Sequence, residues 1–98
     1  MWIGFNEFDL LLGDVHSLKE KSSVVRSIIA YIKRRFEISV AEVGSVDLYR
    51  RTRVGISVVG GDRTHVEEIL NKVEDFIARR PEVDLLSARL RLLHADDF

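Results

Sequence analysis

Ninety-eight residues, 46% of them apolar and 32% charged, suffice for one buried core but not two, and they are too hydrophobic for a disordered chain. Fifteen Lys and Arg stand against sixteen Asp and Glu, so no global basic excess draws the chain to nucleic acid, and any such contact must come from a local patch. The lack of cysteine excludes disulfides, thiolate metal sites and thiol nucleophiles.

Residues 1–12 contain Asn6, Glu7 and Asp9, so they make neither a basic leader with an apolar core nor a membrane span; the expectation is a cytoplasmic protein without a membrane partner. From Trp2 to Leu12 polar and apolar residues alternate, which predicts a first strand with one wet face. Gly13-Asp14-Val15-His16 is a turn, and Ser17-Leu18-Lys19-Glu20 has the spacing of a capping box that opens a helix at Ser17. Leu18, Val25, Ile28, Ile29, Ile32 and Phe36 recur at three and four and form its apolar stripe, while Lys19, Arg26, Lys33 and Arg34 face water.

Glu37 to Val43 is short and β-branched and reads as a second strand, followed by a turn at Gly44-Ser45-Val46-Asp47. Arg51 to Val59 alternates again and ends at Gly60-Gly61. Asp62 or Thr64 caps the second helix, the latter with Glu67 as box partner, and Val66, Ile69, Leu70, Val73, Phe76 and Ile77 form its stripe. Arg79, Arg80 and Pro81 stop it, and Val83 to Leu93 is a fourth strand. The order β-α-β-β-α-β over a single domain, 1–98, predicts an α+β ferredoxin-like fold. Its four-stranded antiparallel sheet runs 4-1-3-2, with two helices on one face and the other face open.

With Phe8, Leu10, Ile56, Val58, Leu90 and Leu92 turned to the helices, the period of two sends Phe5, Glu7, Asp9, Arg51, Arg53, Arg89 and Arg91 to the open face. The plainer reading is a solvated lattice of ion pairs across strands. The functional reading is a partner surface anchored by Arg51, Arg53, Arg89 and Arg91, extended by Asp47 and Tyr49, which otherwise serve as a cap and a packed ring. The third strand has no aromatic residue, which argues against base stacking on the sheet.

The helix start at His16 and Ser17, with Lys19 and Lys21 nearby, is a candidate anion or RNA-phosphate contact, although a turn with a cap explains the same residues and Asp14 opposes an anion. His16, His65 and His94 are far apart in sequence and lack metal-binding spacing, so no metal site is expected. No serine has an evident histidine and acid partner, so neither catalytic residues nor a cofactor is assigned and the chain is read as a non-enzyme.

His16-Ser17-Leu18-Lys19-Glu20-Lys21, followed by Ser39-Val40-Ala41-Glu42-Val43, Asp47-Leu48 and Arg51, resembles the bacterial YlxP-like family of unknown function, from about Ile3 to Leu93. The chain departs from the family pattern at Ser22, Tyr49 and Gly60, where arginine, tryptophan and serine are usual. The resemblance implies a ferredoxin-like fold and genes beside those for translation initiation and ribosome maturation. It favours an accessory module touching ribosomal RNA or a ribosomal protein, and implies no reaction or cofactor. The alternative is a protein-interaction or homodimer module using the open sheet face, and a third is an enzyme acting on phosphate esters or acyl phosphates.

Overall fold

The computed structural model describes residues 1–98. Strand β1 (Trp2–Leu12) keeps its alternation without a break, burying Asn6, Phe8, Leu10 and Leu12 on one side. It forms the middle of the sheet, antiparallel to both β3 (Arg51–Gly60) and β4 (Val83–His94), while β2 (Ser39–Gly44) pairs with the far edge of β3. The order β2-β3-β1-β4 is the expected 4-1-3-2 read from the other edge. Helices α1 (Leu18–Phe36) and α2 (Arg63–Ala78) contribute Val25, Ile28, Ile32, Val66, Leu70, Val73 and Ile77 to a single cluster of 16 buried apolar residues against the sheet. This is the ferredoxin-like α+β arrangement, and a short 3₁₀ turn, Ala95–Asp97, follows β4.

The helix ends differ in detail from expectation. Ser17 Oγ accepts the Glu20 N–H at 3.1 Å, but the Glu20 carboxylate reaches one residue past the box to accept the His16 N–H at 2.9 Å. Asp62, not Thr64, caps α2, accepting the Thr64 N–H at 3.2 Å, and Glu67 pairs instead with Arg63 at 2.8 Å. Strand β2 starts at Ser39 rather than Glu37 because Glu37 is the left-handed cap of α1, with φ 54° and its N–H donated to the Lys33 carbonyl at 3.0 Å.

Gly4 lets α2 approach the sheet. A Cβ there would lie 2.6 Å from Leu70 Cδ1 and 2.7 Å from Val66 Cγ1. Two bulges shift the register. One skips Leu86 opposite Asp9 and Leu10, and the other skips Val43 opposite Val54 and Arg53. Val43 then leans across the open face over Gly55, where its methyls come within 3.1 Å of the position a Cβ would occupy.

Candidate functional site

The register puts every residue expected on the open face there. Reading across β2, β3, β1 and β4, one row is Ala41, Gly55, Glu7 and Arg89, and the next is Ser39, Ser57, Phe5 and Arg91. Arg53 lies opposite Asp9, and Arg51 opposite Leu11. A lattice of ion pairs does not form. Arg51 Nη2 donates to both Asp9 oxygens, at 2.9 and 2.7 Å, and no other ion pair forms on this face. Arg89 and Arg91 sit on an edge strand where their long arms extend into solvent, and Arg91 donates to the Leu90 carbonyl at 3.0 Å. Arg53, Arg89 and Arg91 are thus left without an ion-pair partner on this face, with Arg91 directly opposite half-buried Phe5, Arg89 one row along opposite Glu7, and Arg53 further along opposite Asp9.

The residues grouped at the start of α1 do not act together. His16 is exposed and contacts Asp14 at 3.0 Å, and Ser17 is occupied by its cap. Lys21 is no anion contact at all, because it is only 2% exposed. Its Nζ donates to the Ser45 carbonyl at 2.6 Å and the Val46 carbonyl at 3.2 Å and lies 3.0 Å from Glu42 Oε2. Three protons meet three acceptors, which is the condition for burying an ammonium group. The same Glu42 oxygen accepts the hydroxyl of fully buried Thr52 at 2.6 Å. Lys21, Glu42 and Thr52 therefore tie α1, β2 and β3 together and pin the loop at Ser45, itself left-handed at φ 57°. Asp47 and Tyr49 belong to this exposed loop beyond the end of β2, along with exposed Val46 and Leu48.

Lys19 remains exposed, and a different set of residues joins it. On the solvent side of α1 lie Lys19, Arg26, Lys33 and Arg34, separated by short Ser22, Ser23, Ser27 and Ala30. None of the four cations takes part in an ion pair of the molecule. Lys19, Arg26 and Lys33 are seven residues apart, two helical turns, so they stay on one side of the helix at intervals of about 10 Å. A shallow concavity lined by Lys19, Ser22, Ser23, Arg26, Ser27 and Ala30 runs along this stripe.

Sequence reasoning missed one further feature. Tyr31 of α1 stacks on Phe76 of α2, with centroids 4.3 Å apart and planes 9° from parallel. The helical period put Phe76 in the core and assigned Tyr31 to nothing, because a meeting of two helix flanks leaves no mark in either helix alone.

The chain order, the antiparallel sheet and the two helices on one face define a small α+β protein of ferredoxin-like fold, with one charged sheet face and one cationic helix face. The chain belongs to DUF503, a family described as proteins of unknown function, whose model matches residues 3–90. An uncharacterized protein, YlxP of Bacillus subtilis (strain 168), is 37% identical over 82 residues, covering 84% of this chain and 89% of that protein. Among solved structures, a mutant of SnoaB, a cofactor-independent oxygenase from Streptomyces nogalater, aligns with a TM-score of 0.50 at 13% identity, over 96% of this chain and 92% of that one. At that identity the likeness is one of fold alone. No helix is long and apolar enough to cross a membrane.

Proposed function

We propose that the protein is a cytoplasmic, non-enzymatic accessory module that contacts RNA phosphates, in ribosome maturation or translation, through the solvent face of α1. The observation that carries this reading is the stripe of Lys19, Arg26, Lys33 and Arg34, four cations with no internal carboxylate partner, on a helix whose intervening side chains are short enough to let a phosphate backbone approach. In a molecule of net charge −1, such a concentration of unpaired cations marks a local contact surface rather than a general attraction. Counterion release sets the signature: the logarithm of affinity falls with the logarithm of salt by about 0.7–0.9 per phosphate neutralised, so four contacts give a slope of about −3.

The test is sedimentation of the tagged protein from cell lysate through sucrose at low and moderate salt. Migration with ribosomal particles, lost in a Lys19→Glu/Arg26→Glu variant and weakened by salt, is the expected result. A protein that stays at the top of the gradient at both salts refutes stable ribosome association. Lys21 is left out of the variant because its charge is enclosed.

A second reading has its own observation. Arg53, Arg89 and Arg91 have no ion-pair partner, Arg91 lies opposite half-buried Phe5 with Arg89 one row along, and arginine beside an aromatic ring is a frequent anchor of protein interfaces. On this reading the open sheet face takes a protein partner or a second copy of the chain. Light scattering of dilute protein, alone and with ribosomal proteins added, checks it; a strict monomer that captures nothing refutes it.

A further inference from the structure

We propose that the groove between α1 and α2 holds one nucleotide unit of single-stranded RNA, its base stacked on Tyr31 and its phosphate among Arg35, Lys72 and Arg79. The site rests on the RNA reading above and extends it from phosphate attraction to base contact.

The platform is preformed. Phe76 carries Tyr31 against its face at 4.3 Å and the Arg80 guanidinium 5.3 Å from its centroid, and Arg80 is itself held by Glu82. Tyr31 is nevertheless 36% exposed and lines the groove, so the residue stays accessible there after the stack is made. The surrounding groove is about 260 Å³ and is lined by three cations, Arg35, Lys72 and Arg79, against one carboxylate, Asp75. None of these four charged groups takes part in an ion pair. Enclosed sites for small molecules run to roughly 300–1,000 Å³, so an open slot of this size suits one planar group better than a cofactor.

Complementing the dipole at the end of α1 accounts for Arg35, but not for Lys72, which lies well inside α2. An acidic peptide would use the cations and leave the aromatic platform idle, whereas a base with its phosphate uses both. Lys33 and Arg34, in the same last turn of α1 as Arg35, connect the groove to the cationic stripe.

The experiment is anisotropy of labelled oligouridylate and of a duplex RNA of equal length, each titrated over a range of salt. It compares the full chain, Tyr31→Phe, Tyr31→Leu and Lys19→Glu/Arg26→Glu. Stacking one base is worth about 1–3 kcal/mol, so Tyr31→Leu is expected to weaken single-strand binding roughly 5- to 150-fold, with the salt slope unchanged. Duplex binding by Tyr31→Leu should hold, which excludes misfolding as the cause, and Tyr31→Phe, which keeps the ring and its stack, should bind single strands like the parent. The Lys19→Glu/Arg26→Glu variant should instead weaken both RNAs and flatten the salt slope by about 2. If the parent binds both RNAs and Tyr31→Leu binds them equally well, the groove is overturned while the phosphate contact on α1 stands. If the parent binds neither RNA at low salt, both readings fall. Loss of duplex and single-strand binding together in Tyr31→Leu, with its fold intact by circular dichroism, also overturns base stacking.

Discussion

Lys21 shows how one side chain can look functional in a sequence and be structural in the fold. Its ammonium has traded water for two loop carbonyls and a carboxylate, and that carboxylate also holds the Thr52 hydroxyl. Removing one partner of a buried ion pair strands the other, which typically costs about 3–5 kcal/mol. Lys21→Met is therefore expected to lower the free energy of unfolding in urea by about that much and to expose the 45–50 loop to proteolysis. Changing both residues, as Lys21→Met/Glu42→Leu, removes the stranded charge and should recover part of the loss in the same titration, because the loop carbonyls still lack their donor and the buried Thr52 hydroxyl loses its acceptor. A neutral Lys21→Met would mean that the ammonium group is solvated in solution. Asn6 raises the same issue more mildly. It is fully buried, donates to Glu74 Oε1 at 3.2 Å, and leaves its Oδ1 without a donor.

At the scale of elements, stability should respond most predictably at the helix ends. Glu37 closes α1 at φ 54°, a conformation that costs a residue with a Cβ roughly 1 kcal/mol or more and glycine almost nothing. Glu37→Gly should raise the thermal midpoint by a few degrees, a gain of about 0.5–1 kcal/mol. Asp62→Ala should lower it by a similar amount, because the Thr64 N–H loses its acceptor. Both shifts can be read by calorimetry. These positions also mark how far the sequence was legible. The strands and helices could be read because their periods of two and 3.6 persist along β1, β3, α1 and α2. The start of β2 could not, since glutamate gives no warning of a left-handed cap. The bulges at Val43 and Leu86 arise from pairing between strands and have no local signature. For the candidate site, the charged residues of the open face followed from alternation alone. The burial of Lys21 was readable in principle, because positions 21, 25, 28 and 32 share the buried side of α1, but a lysine there counts as a defect in the stripe until Glu42 and Thr52 are seen beside it. The Tyr31 and Phe76 stack depends on how two helices meet and could only come from the structure.

At the scale of the whole molecule, unpaired cations fall on two opposed surfaces: Lys19, Arg26, Lys33 and Arg34, with Arg35, Lys72 and Arg79 of the groove, on the helix layer, and Arg53, Arg89 and Arg91 on the open sheet. Even the shortest dimension of the molecule, 19 Å, exceeds two Debye lengths at physiological salt, where the screening length is about 8 Å. The two surfaces are therefore electrostatically independent under cellular conditions and can be tested separately. Arg89→Ala/Arg91→Ala removes two exposed charges from an edge strand without touching the core, so its stability should stay within about 0.5 kcal/mol of the parent. Its RNA affinity and salt slope should match the parent's if phosphates meet the helix layer alone, while any protein partner or second copy seated on the sheet should be lost. The Lys19→Glu/Arg26→Glu variant should show the reverse, with RNA binding weakened and protein capture kept. Anisotropy with RNA and light scattering with the partner, run on both variants, check this crossed pattern. If the sheet variant also flattens the RNA salt slope by about 2, the strand reaches both layers, and the open sheet face becomes part of the RNA surface instead of a separate protein interface.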